Sequence, residues 1–202
     1  MLDGAAKITE LVEEVAKQGM PAIAMTDHGN VFGAFEFYKS AKLANVKPII
    51  GIEAYVAPES RFDKRRVKWA DGGEDDVSAG GAYTHMTLLA QNNQGLSNLF
   101  KLSSLASLEG FYYKPRVDRE LLSKYSAGLI GTTGCAGGEI QTRLRMGAYE
   151  EAKKAASEMK DIFGAENYFL ELMDHSIDIE KRVFTDLLRL GKDLNLDRKS
   201  VV

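Results

Sequence analysis

The sequence predicts an α/β domain built on a largely parallel sheet, open or closed into a barrel. Two observations carry this. Short apolar runs alternate with longer segments of helical period along most of the chain, the pattern of strand–helix units. Polar residues of ligand type recur where the apolar runs end, at the rim where α/β proteins place their chemistry.

Ile8, Leu11, Val12 and Val15 recur three and four apart, which gives a helix one apolar face, and Gly19 follows as a stop signal. The apolar run 20–25 has strand length, with the strand itself over 22–25. Residues 32–44 read as a helix with Phe35 and Tyr38 one turn apart. Residues 46–51 and 52–57 are two short strand candidates, and 85–90 is another, with a helix over 92–105 after it. Residues 129–131 form a short strand. The helix 148–163 is amphipathic, with Ala152, Ala155, Ala156, Met159 and Phe163 as its buried stripe. Residues 168–172 read as a strand and 179–194 as a final helix. There is no internal repeat.

Composition bounds the function. The chain has 202 residues, enough for one large domain with its own core. Its net charge of −3 gives no global basic field, so any nucleic-acid contact must be local or come from elsewhere in a larger protein. The single cysteine, Cys135, excludes an internal disulfide framework and fits a reducing cytosol. No apolar stretch approaches the roughly 20 residues that cross a bilayer, and the first residues lack the pattern of a secretory signal.

One region breaks the rhythm. Residues 58–81 are polar and Gly-rich, with Lys64, Arg65 and Arg66 set against Asp71, Glu74, Asp75 and Asp76. The segment reads as a long excursion from the rim. It is either a solvated loop or a DNA contact through Arg65, Arg66, Lys68 and Trp69, which mix cations with a stacking surface.

The strongest chemical signal is Thr26-Asp27-His28-Gly29-Asn30, directly after the strand 22–25. Gly29 allows a sharp turn that keeps the rim open to a ligand. Asp3 precedes the first helix, Glu53 interrupts an apolar strand, His85 opens another strand, and Cys135 follows a strand in Thr133-Gly134-Cys135. Each has a bland explanation: Asp3 can cap a helix, and Cys135 can act as a small buried hydrophobe. Glu53 is harder to dismiss, because a carboxylate in a buried strand costs several kcal/mol, roughly, unless it is paired or metal-bound. Together these residues bring carboxylate, imidazole and thiolate to one rim, a mixture suited to zinc or manganese and to phosphodiester hydrolysis. Asp27, Glu171 and His175 follow the same placement and are candidates for the layer behind the ligands, His175 also for a ligand itself.

The segments Leu2-Asp3-Gly4, Thr26-Asp27-His28-Gly29, Pro48 to Glu53, His85 to Leu89, Gly110 to Arg116 and Gly134-Cys135 occur in an order that closely resembles the polymerase-and-histidinol-phosphatase (PHP) domain. Within that family the sequence is similar to the branch at the N-terminus of the bacterial DNA polymerase III alpha subunit, over residues 1–196. The resemblance implies a distorted (β/α)7 barrel with up to three zinc or manganese ions. It implies Asp3, His28, Glu53, His85 and Cys135 as metal ligands, and either a metal-dependent 3′–5′ exonuclease or a structural scaffold. It also implies a parent DNA-directed DNA polymerase that uses magnesium, with DNA and other replicase subunits as partners, no membrane, and a cytoplasmic location. The alternative is a free-standing PHP phosphoesterase acting on a small phosphomonoester.

The family pattern also carries a His-x-His pair before the segment matching Leu2-Asp3-Gly4 and an Asp-x-His pair after the helix ending near Leu194. This chain has neither. The reading is therefore an incomplete barrel, with the first strand and later strands missing, that is inactive on its own. Residues 197–202, Asp-Arg-Lys-Ser-Val-Val, stand where an apolar strand is expected. They are read as a non-native tail outside the fold.

Overall fold

The computed structural model describes residues 4, 6–68 and 79–201. Asp3 and Trp69 lie outside the described residues. Seven strands form one curled, half-barrel sheet: β1 (Ala22–Met25), β2 (Lys47–Val56), β3 (Thr84–Ala90), β4 (Arg116–Val117), β5 (Leu129–Thr132), β6 (Tyr168–Met173) and β7 (Arg198–Val201). The order is β1-β2-β3-β5-β6-β7, with β4 paired to β2 off this path. Seven helices accompany it: α1 (Ile8–Lys17), α2 (Ala34–Leu43), α3 (Asn93–Leu108), α4 (Arg119–Tyr125), α5 (Glu139–Arg145), α6 (Tyr149–Phe163) and α7 (Asp178–Leu194).

The sheet is largely parallel, with one strand reversed. β1–β2, β2–β4, β5–β6 and β6–β7 are parallel, but β3 runs antiparallel to both β2 and β5. β3 follows the long 58–81 excursion, in which the described residues include only the short 3-10 turn Ala79–Gly81. The two short strands expected over 46–57 are one ten-residue strand. β2 stays continuous because its neighbours change along one edge. β1 pairs with residues 47–50, and β4 pairs with Tyr55 and Val56.

Residues 198–201, expected outside the fold, also differ from expectation. Residues 198–201 run parallel to β6 in register, Leu170 beside Arg198 and Met173 beside Val201. The free edge of β6 presents backbone N–H and C=O groups that a following segment can satisfy whatever its side chains.

Alternating burial sorts the side chains. In β3, Thr84, Met86 and Leu88 are buried against the helices, while His85 and Thr87 face the concave side. The main core joins Ile52, Leu88, Leu99, Leu102, Leu122 and Leu170 to the stripe of α6, whose five expected residues are all buried. A smaller core packs Val12 and Val15 of α1 and Phe37 and Ala41 of α2 around Met25. In α2 it is Phe37 that points inward, and Phe35 and Tyr38 are exposed. No helix among the described residues is long and apolar enough to cross a membrane.

Candidate metal centre

The ladder that holds β1 to β2 runs on past the end of β1. Glu53 N–H donates to the Asp27 carbonyl (3.0 Å) and Gly29 N–H to the Glu53 carbonyl (3.0 Å), so His28 lies directly beside Glu53. On the other side β3 opposes Glu53 with Thr87 and Tyr55 with His85, which sets His85 diagonal to Glu53 on the same face. His85 N–H in turn donates to the Gly137 carbonyl (3.0 Å) and ties the Cys135 loop to this rim.

Two glycines permit this closeness. Gly29 has φ +71°, and a Cβ there would meet the Tyr55 ring at 2.8 Å. Gly134 has φ +76°, and a Cβ would lie 2.8 Å from the His85 carbonyl oxygen.

The result is a compact donor set. One ligand atom each from His28, Glu53 and His85 lie within 4.8 Å of one another. Glu53 Oε1 is 2.5 Å from His85 Nδ1 and 3.3 Å from His28 Nε2, and the Cys135 thiol reaches it at 3.4 Å. Burial works to raise the Glu53 pKa, but the His85 hydrogen bond and the charges of His28 and His85 outweigh it and hold the carboxyl below its usual value. Burial first, then the adjacent Glu53 charge, pushes the Cys135 thiol up to about 12. A carboxylate beside two imidazoles is what a divalent cation would bind after displacing protons, and the Cys135 thiol touches that set through Glu53 while lying outside the three mutually close ligand atoms.

Further along the concave face, Glu171 is buried and accepts a hydrogen bond from the Thr132 hydroxyl. Burial is the main cause that keeps its pKa above the usual carboxylate value, and the Glu53 charge adds to it. Tyr55 and Tyr83 wall the imidazoles, with the Tyr55 ring 6.0 Å from His28 and 5.2 Å from His85. A cavity of about 470 Å³ opens beside the centre and is lined by Ala24, Thr26, Asp27, His28 and Glu53 among others.

Four of the five expected ligands, His28, Glu53, His85 and Cys135, therefore meet, and the fifth, Asp3, is outside the described residues. Asp27 lines the same cavity as His28 and Glu53, its carboxylate against Gly33 just before α2. His175 is not drawn in. Its Nδ1 and backbone N–H both bond Glu180, each at 2.7 Å. In the excursion, Arg65 is held by Asp63 (2.5 Å) and Arg66 lies over the Tyr113 ring (5.1 Å). Tyr55 was not among the expected site residues. Its signal was its position two residues after Glu53 on one strand, which fixes a shared face.

The family model described as the PHP domain matches residues 1–175, and the chain belongs to that family. Curated relatives support the same placement. The DNA polymerase III subunit alpha of Mycobacterium leprae is 59% identical over 199 residues, covering 97% of this chain and 17% of the relative. That of Saccharopolyspora erythraea is 58% identical over 205 residues, with the same coverage. That of Thermus aquaticus is 48% identical over 185 residues, covering 91% of this chain and 14% of the relative. The chain thus spans about a sixth of the length of the relatives it matches.

Proposed function

We propose that this chain is the PHP part of a DNA polymerase III alpha subunit, and that its own chemistry is metal-dependent phosphoester hydrolysis, used as a 3′–5′ exonuclease. The parent is a DNA-directed DNA polymerase whose nucleotidyl-transfer carboxylates lie outside this sequence. The observation that carries the hydrolytic reading is the meeting of His28, Glu53, His85 and Cys135 on one rim. The donor set fits zinc or manganese: nitrogen, oxygen and sulfur ligands from separate strands. Relatives named as polymerase alpha subunits that match 97% of this chain favour this reading over a free-standing phosphoesterase.

When bound, a divalent ion supplies an acidified water and polarises the phosphoryl oxygens. This chain's residues do the rest. His28 and His85 would hold the ion through ring nitrogens that carry no proton. Glu53, whose Oε1 lies against both imidazoles, would be the carboxylate that helps hold a cation. Glu171, buried close by, has its carboxyl pKa held above the usual value by burial first and by the Glu53 charge, opposite to the shift at Glu53. Asp3 is assigned as a further ligand, with Asp27 behind the set.

The test is 3′-end trimming of single-stranded DNA with manganese or zinc, by this chain and by a full-length alpha subunit carrying it. Trimming by the full-length protein that is lost in His28→Ala and Glu53→Gln is the expected result. Trimming that survives both substitutions would overturn the assignment.

A further inference from the structure

The turn 110–116 stands beside the metal centre and contributes no ligand to it. Arg116 fixes the turn in place. It is fully buried and donates to the carbonyls of Gly110 (3.0 Å), Ala82 (3.1 Å), Arg61 (3.0 Å) and Asp63 (2.9 Å). Those bonds tie the turn to the base of the excursion, so the tip sits on a rigid post. At the tip, Tyr113 has φ +60°, a left-handed conformation that bulky residues rarely adopt. The tip leaves the rings of Phe111 and Tyr113 each 59% exposed. The Arg66 guanidinium lies over the Tyr113 ring at 5.1 Å. The next residue, Lys114, leans back toward the centre, its Nζ 5.7 Å from the ring of Tyr55, which itself touches both ligand histidines.

Cations and rings therefore alternate along a path from the excursion to the ligands: Arg66, the exposed Tyr113, Lys114 and the buried Tyr55. That alternation matches single-stranded nucleic acid, which offers base faces to aromatics and a phosphate between each pair of bases to cations. A duplex would call for a broad basic face, which a chain of net charge −3 does not supply.

We propose that the 111–114 turn guides a single nucleic-acid strand into the metal centre. Tyr113, backed by Arg66, stacks a base, and Lys114 holds the backbone phosphate neighbouring the one at the ligands. The inference rests on the hydrolytic reading above and extends it to how the substrate is laid down. Lys114 is a positioning residue here, because it acts on the strand and not on the reacting bond.

The experiment is fluorescence anisotropy of a labelled single-stranded oligothymidylate with this chain in EDTA, across a series of salt concentrations. Tyr113 and Lys114 are exposed, so substituting them leaves the core intact. Tyr113→Leu is expected to weaken binding about tenfold, the loss of one stacked base, while Tyr113→Phe keeps the affinity. Lys114→Gln is expected to weaken binding several-fold and to make the salt dependence shallower by about 0.7 in log–log slope, one phosphate contact on a single strand. No binding by the unsubstituted chain would overturn the inference. So would unchanged affinity and slope in both Tyr113→Leu and Lys114→Gln. Cleavage of bis(p-nitrophenyl) phosphate with manganese, which needs no bound strand, reports on the metal centre, so failure of the hydrolytic reading shows there and not in the oligonucleotide data collected in EDTA.

Discussion

His85 Nδ1 lies 2.5 Å from Glu53 Oε1, and His175 Nδ1 lies 2.7 Å from Glu180 Oε1. The residue types and the bond are the same, yet the surroundings differ. The first pair joins neighbouring strands 32 residues apart, and His28 and Cys135 converge on the same carboxylate oxygen. The second joins residues five apart at the entry to α7, and there Glu180 also accepts the His175 backbone N–H. Glu180 closes a turn, and its two oxygens are both used in doing so. Glu53 gathers donors from separate elements onto one atom and leaves the pair beside an open cavity. A metal centre is marked by that convergence, and a His–Glu contact alone does not mark one.

Swapping one substitution between the two regions gives the largest contrast. Glu53→Gln should weaken zinc or manganese binding on the order of 100-fold by calorimetry. Glu180→Gln should leave metal affinity within about twofold, and instead lower unfolding stability in urea by about 1 kcal/mol, equally with and without chelator. Equal loss of metal affinity from both substitutions would erase the distinction.

A smaller effect sharpens the comparison on the rim itself. Glu171, unlike Glu53, has its pKa raised in the folded chain, chiefly by burial. The folded state then binds more protons than the unfolded one between the ordinary carboxylate value, roughly 4.3, and the raised value. Stability contributed by the protonated form is lost as pH rises through that raised value. Glu171→Gln removes the cost of ionisation, so it should raise the urea midpoint of the metal-free chain at neutral pH. The gain should fade as pH falls toward the ordinary carboxylate range. A gain that is independent of pH would assign the effect to packing.

The sequence made β1 and α6 legible because their patterns are clean: an unbroken apolar run, and five inward residues at helical spacing. It did not reveal α4 and α5, which are seven residues each and too short to display a period, nor β4, which has two residues. β2 read as two strands because Gly51 and Glu53 interrupt its apolar run, whereas pairing on both edges keeps it whole. The antiparallel direction of β3 was hidden because it depends on how the excursion returns.

At the site, His28, Glu53, His85 and Cys135 were legible as metal-ligand types at strand ends. His175 has the same type and the same placement, so only the coordinates separate it from them. Lys114 lies in the Gly110 to Arg116 segment that carries the resemblance, but its approach to Tyr55 was hidden, since it depends on the buried Arg116 post beneath the turn.

X-ray absorption at the zinc edge of the zinc-loaded chain tests the central claim most directly. The claim is that imidazoles from β3 and the loop after β1, the Glu53 carboxylate and the Cys135 thiolate share one ion. The account predicts nitrogen or oxygen scatterers at about 2.0–2.1 Å with imidazole outer-shell features, plus one sulfur at about 2.3 Å. The sulfur should vanish in Cys135→Ser, and the imidazole features should weaken in His28→Ala and in His85→Ala. A spectrum of oxygen ligands alone, unchanged by those three substitutions, would contradict it.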